Sequence, residues 1–548
     1  MRERLTIAYD TPTSFPLPPC SPRPAPSARP HTSYIRARTA VCLHAHARTH
    51  MRRYDPQLIA EFLLADQHWR SRCRAVKSVD PRSPSRTFCD TCDGQAWMEH
   101  EFLGDPDYDG PTRCAFEGYC DDVDVPNGIG VAAGHSKLFL VFLVCLNRPP
   151  GSRATLRSIN LATVCLASDV KAVGIEKVIS DPGAPYDSTS VGATFRRWHE
   201  GVSLRVPEAF AGTSVMPFRG WCFVWTADGM AMGEMCGTNS SFSAAQNPCN
   251  LCEDHDQRTV EGRTPCGFLA CTCGAGNKHR RGCRCHFRLR TAARDADRAA
   301  RGPLSASERK ALGITTLQHA FTGVPCFSVA RPGPKEYMHA FAEGRTGHLA
   351  AYTIWSLVHF GYASKDDIRQ AAFVFDWSPG ESAGFSNPTY LPDKLFTNTK
   401  VYQPDGSWVW GPHKDIKLPF SAAGIFSFTV MSIEFLRQFL PQAMPAWPPF
   451  WRAWVLHAIA CTHGCLRFTF TFAELLRLEA MVVESERLLT SIPEYADIWV
   501  PKAHWILHLA HDIYLWGPIR LLMTMLKEMK NAHFKRGCRR APRCPWGA

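Results

Sequence analysis

The 548-residue sequence lacks long hydrophobic runs and lacks a recognisable secretory signal. Its longest apolar run, Leu138 to Leu146, is far shorter than the roughly 20 residues that a membrane-spanning helix requires. The N-terminus does not show the order of charged, apolar and small residues that marks a secretory signal. We therefore expect a protein that is neither secreted nor embedded in a membrane.

The missing export signal decides how the 23 cysteines are interpreted. Disulfides persist in secreted proteins and are rare in reducing compartments. We therefore expect reduced thiols and metal ligands rather than a disulfide framework. The apolar content of 45% is ordinary for a globular protein, and the length allows about two to four domains.

Positive charge is concentrated in three segments of the chain. The net charge is +12 overall, but residues 1–53 carry +7, residues 278–310 carry +8 and residues 527–543 carry +6. The rest of the chain therefore carries −9. Local basic segments on an acidic body favour a polyanionic partner such as DNA. The alternative is that each segment is only a solvated face or tail.

The residue patterns predict a mixed α/β fold, with strands and a helix followed by a mainly α-helical C-terminal region. The predicted organisation is a disordered basic leader (1–53), a helical or irregular segment (54–118), the first part of a core (119–248), a basic insertion rich in Cys and His (249–310), the second part of the core (311–419) and the α-helical region (420–548).

Three acids are candidates for a catalytic metal site. Asp121 lies in the alternating segment Tyr119 to Val125, where it shares the apolar face of a predicted strand. Asp228 follows the apolar strand Trp221 to Trp225, and Glu343 lies inside a helix that begins near Glu336. Convergence of three such carboxylates would provide the oxygen ligands that two-metal phosphoryl transfer needs from Mg²⁺ or Mn²⁺. Taken singly, each acid is more often a helix cap or an ion-pair partner than a metal ligand.

Cysteines between the second and third acids have the spacing of zinc ligands. The candidate ligands for structural Zn²⁺ are Cys249, Cys252, Cys271, Cys273, Cys283 and Cys285. Free thiols are the alternative, and the spacing favours zinc. His504 and His508 lie one helical turn apart and could share a ligand, but their aromatic-rich surroundings favour core histidines. The candidate DNA-binding residues are Lys278, Arg280, Arg281, Arg284, Arg288 and Arg290.

The order of these segments resembles the CACTA-like DNA transposases, which have a ribonuclease-H-like (DDE) catalytic core and a zinc-knuckle insertion. The resemblance extends from about Cys89 to Lys535. It rests on five blocks, which are Tyr119 to Gly130, Asn147 to Arg153, Ala227-Asp228-Gly229 with Pro248 to Cys252, Met338 to Gly344, and Pro501 to His504 with Gly517-Pro518 and Phe534-Lys535.

The resemblance implies that Asp121, Asp228 and Glu343 form the catalytic triad. Such a triad activates water, and then a DNA 3′-hydroxyl, for in-line attack on phosphodiesters. It also implies a nuclear protein that acts on DNA and that can form homo-oligomers. Glu336, where relatives have Asp, and Ala340, where they have Asp after Met-His, depart from the family pattern.

Three functions follow from this reading. The first is a transposase or transposase-derived protein that binds DNA and cleaves it. The second is a catalytically inactive, zinc-containing DNA-binding or scaffold protein on the same fold. The third, with the least support, is a zinc hydrolase unrelated to transposition.

Overall fold

A computed structural model gives the architecture of the larger part of the chain. The residues that it describes are 52–53, 83–103, 113–124, 137–148, 153, 155–181, 190–208, 212–238, 249, 251–252, 269, 289–316, 319–377, 391–403, 405–413, 415–442, 446–498, 501–524, 527–528 and 530–531. The predicted leader lies outside these residues except for Arg52 and Arg53, and the predicted helix from Leu58 to Trp69 also lies outside them.

The protein is a mixed α/β structure built on a six-stranded sheet. The strands are β1 (Arg52–Arg53), β2 (Thr87–Phe88), β3 (Arg113–Asp124), β4 (Lys137–Cys145), β5 (Asn160–Leu166), β6 (Val202–Glu208), β7 (Gly212–Thr226), β8 (Asn398–Tyr402), β9 (Trp408–Pro412) and β10 (Phe470–Thr471). The large sheet has the order β1-β5-β4-β3-β7-β6. Within it β3 and β7 are parallel, and the other pairs are antiparallel. The pairs β2–β10 and β8–β9 form two small sheets.

Helices flank the sheet and make up most of the described residues after residue 290. They are α1 (Gln95–Met98), α2 (Ala167–Val173), α3 (Ile175–Ile179), α4 (Val191–Glu200), α5 (Gly229–Met235), α6 (Ala292–Ala300), α7 (Ala306–Leu312), a π-helix (Met338–Thr346), α8 (Gly347–His359), α9 (Lys365–Val374), α10 (Ala422–Arg437), α11 (Pro449–Leu466), α12 (Phe472–Thr490), α13 (Pro501–Ile506) and α14 (Leu509–Trp516). Short 3₁₀ turns, among them Pro493–Ile498, connect them.

Strand β4 is buried on both faces, which explains why the sequence there is a continuous apolar run. Its alternate residues enter two different cores. Leu138, Leu140, Phe142 and Val144 pack on one face with Tyr119 and Val123, whereas Phe139, Val141, Leu143 and Cys145 pack on the other. The predicted strands Tyr119 to Val125 and Leu138 to Leu146 are confirmed as β3 and β4, although Val125 lies outside the described residues and Leu146 follows the end of β4. Asp121 shares the face of Tyr119 and Val123.

The parallel pairing of β3 with β7 brings the first two candidate acids to the same edge of the sheet. Tyr119 is the register partner of Thr226. Asp121 and Asp228 each follow that pair by two residues, so the ends of neighbouring strands deliver them side by side. The predicted strand Trp221 to Trp225 is the last third of β7.

The C-terminal region is helical, as predicted. Its largest apolar core contains residues of the π-helix, α8, α10, α11, α12 and α14. The predicted helix from Glu336 to Gly361 is present, but it is divided. Its first part is a π-helix, and Gly344 has the non-helical values φ −115 and ψ −107 before α8 begins. Gly361, with φ +75, follows the end of α8.

Candidate functional site

Four side chains from two distant parts of the chain meet in the interior. We name Cys249, Cys252, His504 and His508 the Cys/His cluster. The two cysteines follow α5, His504 lies in α13, and His508 is the residue before α14. All four are buried, and their ligand atoms lie within 4.8 Å of one another, so the cluster could hold a metal ion.

The spacing within the Cys/His cluster is that of a tetrahedral metal site. Both Cys249 Sγ and Cys252 Sγ lie 3.5 Å from His508 Nε2. His508 Nε2 lies 3.2 Å from His504 Nε2. Zinc bonds are about 2.3 Å to sulfur and about 2.0 to 2.1 Å to nitrogen. In a tetrahedral site these lengths place a sulfur and a nitrogen ligand about 3.5 Å apart and two nitrogen ligands about 3.3 Å apart.

The charges around the cluster favour the forms that bind metal. Burial opposes ionisation of Cys249, but its hydrogen bond with Cys252 and the positive charge of Lys335 hold its pKa well below the ordinary value. Burial lowers the pKa of His508 to about 4, which keeps its ring neutral at physiological pH. Thiolate and neutral imidazole are the forms that coordinate a metal.

The structure changes the predicted ligand set. Cys249 and Cys252 are brought together as predicted, but the other two members of the cluster are histidines that the sequence interpretation assigned to the core. Four further candidate ligands, namely Cys271, Cys273, Cys283 and Cys285, lie outside the described residues. The signal for the histidines is their spacing of four residues in a helical segment, which places both on one face.

A buried carboxylate connects the Cys/His cluster to the π-helix. Asp512, in α14, accepts hydrogen bonds from the Tyr337 hydroxyl at 2.7 Å and from the Lys335 backbone N–H at 2.9 Å. Burial raises the pKa of Asp512 to about 7. Its carboxylate oxygen also lies within 4.8 Å of ring nitrogens of His508 and His511. Helix α14, which follows His508, is thereby attached to the start of the π-helix.

A second group of titratable side chains lies at the ends of β3 and β7. We name Asp121, Asp228, Glu343 and Glu528, with His339 and Lys502, the acidic cluster. Burial raises the pKa of Asp121, and the charge of Asp228 raises it further. Asp228 is also the N-cap of α5, where its Oδ1 accepts the Ala231 N–H at 2.6 Å. This hydrogen bond holds one oxygen of the Asp228 carboxylate in place. The carboxylate lies close enough to Asp121 for the two charges to interact.

Glu528 joins these acids although it was not among the predicted site residues. Burial raises its pKa to about 7, and the charges of Asp121 and Glu343 contribute to the rise. The segment 527–531 is fixed to the sheet by three contacts. Lys527 forms a buried ion pair with Glu117, Lys530 Nζ donates to the Leu156 carbonyl at 2.8 Å, and Asn531 Nδ2 donates to Asp121 Oδ2 at 2.7 Å. Glu528 was the single acid in a basic stretch, which was the available sequence signal.

His339 lies among three acids at the acidic cluster, namely Glu336, Glu343 and Glu528. Its Nδ1 lies 2.6 Å from Glu336 Oε2. Its Nε2 lies 3.5 Å from Glu343 Oε2 and 3.6 Å from Glu528 Oε1. Burial alone would lower the pKa of His339, but Glu336 and the other two acids raise it to about 9. The ring is therefore cationic at neutral pH and offsets part of the carboxylate repulsion.

Lys502 is the second cation of the acidic cluster. A Cβ on Gly344 would lie 2.3 Å from Lys502 Cδ, so glycine at this position leaves the space in which the lysine chain passes the π-helix. Burial lowers the pKa of Lys502, the charges of Glu343 and Asp228 act in the opposite direction, and the charge of Lys417 lowers it further. Lys502 therefore lies close enough to the second and third predicted acids to interact with the charges of both.

The three predicted catalytic acids share one region without forming a compact ligand set. Among the described residues, the groups of three or more ligands within 4.8 Å of one another involve Cys249, Cys252, His504, His508, His511 and Asp512, but not Asp121, Asp228 or Glu343. One ion could not contact all three of these carboxylates in the present arrangement.

The predicted DNA-contacting set requires one correction. Arg290 is buried, with Nε 2.7 Å from Asp295 Oδ2 in an ion pair. It stabilises the start of α6 and is not available to DNA. Positive charge in the sequence gave no information on burial. Five other members of the set, namely Lys278, Arg280, Arg281, Arg284 and Arg288, lie outside the described residues.

Comparison with known proteins leaves the family open, since the chain matches no family model and no curated protein. Within the described part of the chain, no helix combines the length and apolar character that crossing a membrane would need.

Proposed function

We propose that this protein is a DNA transposase, or a protein derived from one, that cleaves and joins DNA strands at the acidic cluster. The fold we propose is ribonuclease-H-like. Its support is the strand order β5-β4-β3-β7, with three antiparallel strands and a parallel fourth. The observation that carries the proposal is the pair Asp121 and Asp228 at the ends of neighbouring parallel strands, with further carboxylates facing them.

The role we assign to Asp121 and Asp228 is to hold Mg²⁺ or Mn²⁺ between them. When bound, such ions polarise the phosphodiester and lower the pKa of the attacking water or 3′-hydroxyl. Burial raises the pKa of Asp121 and the charge of Asp228 raises it further, and a bound divalent cation would relieve that repulsion. His339, cationic in the present arrangement, would then no longer be needed to balance Glu343 and Glu528.

Two glutamates compete for the place of the third acid. The family resemblance selects Glu343, whereas the charge coupling to Asp121 and the anchoring by Lys527 and Asn531 favour Glu528. We retain Glu343 as the sequence-based candidate and add Glu528. Comparison of Glu343→Gln with Glu528→Gln separates them, because the true ligand loses metal-dependent activity and the other variant retains it.

We further propose that the Cys/His cluster binds structural Zn²⁺. All four ligands come from the protein and are buried, which is typical of a closed structural site rather than a catalytic one. The cluster would join the segment after α5 to α13 and α14.

The decisive test is Asp228→Asn in the full-length protein. Asparagine preserves the N-cap of α5 and removes only the charge, so the fold is retained. We expect Mn²⁺- or Mg²⁺-dependent nicking and strand transfer on DNA carrying the element's ends to fall by at least about a hundredfold. A matched control is Asp297→Asn in α6, outside the acidic cluster. Equal activity of the natural protein and Asp228→Asn would exclude catalysis by this cluster.

The second candidate function is a catalytically inactive, zinc-containing DNA-binding or scaffold protein. It is favoured by the absence of a compact three-carboxylate ligand set among the described residues. This alternative predicts DNA binding without nicking, and Asp228→Asn would leave that binding unchanged.

A further inference from the structure

The β8–β9 hairpin presents an exposed aromatic face. Tyr402, Trp408 and Trp410 are 65%, 43% and 47% exposed. The register pairs Tyr402 with Trp408 and Lys400 with Trp410, so the four side chains form one cross-strand block on the outer face. We name this block the aromatic hairpin face. Large aromatic groups are costly to leave in water, and a contiguous set of them marks an interaction surface.

The hairpin is rigid because its other face is attached to the helical region. Val401 is buried, and Gln403 Nε2 donates to the Pro493 carbonyl at 3.0 Å. A Cβ on Gly411 would lie 2.5 Å from the Glu494 carbonyl oxygen, so the strand lies directly against the 3₁₀ turn Pro493–Ile498. The aromatic rings are therefore presented on a fixed support and not on a loose loop.

The chemistry of the aromatic hairpin face suits nucleobases and phosphate. Lys400 Nζ lies 4.3 Å from the Trp408 ring centroid, and the rings of Trp408 and Trp410 meet edge to face with centroids 5.1 Å apart. The exposed residues of the two strands are aromatic, Lys or Asn, and none is aliphatic. Proteins that bind single strands combine aromatic platforms for bases with cations for the backbone.

The chain leaving the hairpin leads to the acidic cluster. After β9 it reaches Lys417, and the next residue, Leu418, donates its N–H to the Gly347 carbonyl at 3.1 Å. The charge of Lys417 lowers the pKa of both Lys502 and His348, after the larger effect of burial on each. Lys417, which follows the hairpin in the chain, therefore lies near Lys502 of the acidic cluster.

We propose that the aromatic hairpin face binds unpaired nucleotides of DNA by stacking bases on Trp408, Trp410 and Tyr402 while Lys400 contacts the phosphate backbone. The inference rests on the proposed function, because strand cleavage at the acidic cluster would expose such nucleotides. Its test does not need cleavage, so the two proposals can fail separately.

The test compares a fluorescent oligothymidylate with an abasic deoxyribose-phosphate strand of the same length. Binding to the full-length protein is measured by fluorescence anisotropy without added divalent cation. We expect the protein to bind the base-bearing strand at least about tenfold more tightly, since stacking on one aromatic ring contributes on the order of a tenfold preference or more. The double variant Trp408→Ala/Trp410→Ala should bind both strands equally weakly.

Three further variants control the measurement. Trp408→Phe/Trp410→Phe keeps aromatic platforms and should keep the preference, which guards against misfolding of the alanine variant. Phe373→Ala removes an equally exposed aromatic ring from α9 and should change nothing. No preference for bases in the natural protein, or an unchanged preference in the double alanine variant, would overturn the proposal. If the double alanine variant lost a protein partner while its DNA binding stayed unchanged, the aromatic hairpin face would be a protein-docking surface. That result would also overturn the proposal.

Discussion

Removing the zinc that we propose for the Cys/His cluster should strongly lower the stability of the protein. Cys252 and His508 are separated by 256 positions in the sequence, so a metal bonded to both closes a very long loop. In the chain-entropy treatment of cross-links, closing a loop of this length lowers the conformational entropy of the unfolded chain. The free energy of the unfolded state rises by about 5 to 6 kcal/mol as a result. The net stability of a typical domain is about 5 to 15 kcal/mol. One metal site would thus supply a large part of the free energy of unfolding.

The measurement combines metal analysis with thermal unfolding. We expect one zinc per chain from the Cys/His cluster, and a strong zinc chelator should lower Tm by more than about 10 °C, with recovery on zinc addition but not on Mg²⁺ addition. Cys252→Ala should lose both the zinc and the stability.

Cys222→Ala is the matched control for the cluster. Cys222 is a buried thiol of β7, and its truncation should cost about 1 kcal/mol while zinc is retained. The reasoning is refuted if the purified protein contains no zinc and the chelator leaves Tm unchanged, or if the two alanine variants unfold alike.

Three further predictions concern the helical region. Burial lowers the pKa of His457 to about 3. Below about pH 6.5 the unfolded chain therefore binds a proton at this histidine that the folded chain does not bind, and stability falls with pH. In acid-induced unfolding, His457→Gln should reduce the stability lost between pH 8 and pH 5 by about 2 kcal/mol. Arg345 and Glu486 form a fully buried ion pair, so Glu486→Gln should cost about 3 to 5 kcal/mol in urea unfolding, and Arg345→Met/Glu486→Met should recover most of this loss. Gly344→Ala should lower Tm and displace Lys502, because a Cβ has no room there; a crystal structure of the variant with Lys502 unmoved would contradict this.

Local sequence patterns were sufficient to predict three strands of the six-stranded sheet and the acids beside two of them. The run Leu138 to Leu146 was predictable because strands buried on both faces are continuously apolar, Tyr119 to Val125 because its residues alternate, and Trp221 to Trp225 because it is a short apolar run. Hydrophobic periodicity likewise predicted the C-terminal helices. The π-helix was not predictable, because its apolar residues fit an ordinary helix equally well.

The partners in the two clusters were beyond sequence reasoning. His504 and His508 join cysteines about 250 positions away, and no local pattern reports such a contact. Glu528 was assigned to a basic segment by its charged neighbours, yet Lys527 and Asn531 turn that segment onto β3. Arg290 was assigned to DNA by charge alone, although it is buried beside Asp295. These differences arise because the sequence shows which residues are polar or charged, whereas tertiary packing determines which residues they contact and whether they are buried.

The two clusters share structural supports, and this predicts that zinc loss disables the acidic cluster. Helix α13 carries both Lys502, which passes Gly344 of the π-helix, and His504, a ligand in the Cys/His cluster. Helix α14 carries Asp512, which is bonded to Tyr337 at the start of the π-helix. A metal in the Cys/His cluster would therefore fix two helices that contact the π-helix, which carries His339 and Glu343.

Binding of Mn²⁺ to the acidic cluster, followed by electron paramagnetic resonance, measures this dependence directly. Cys252→Ala, studied below its lowered Tm, should bind Mn²⁺ at least about tenfold more weakly, although Cys252 contacts none of the four acids. Tyr337→Phe removes only the hydrogen bond to Asp512 and should cause a smaller loss, because α13 stays attached through its metal. Unchanged Mn²⁺ affinity in a zinc-free protein would mean that the acids are positioned by the sheet alone. In that case the anchoring of Asp121 by Asn531 would be sufficient, and the Cys/His cluster would serve stability without serving catalysis.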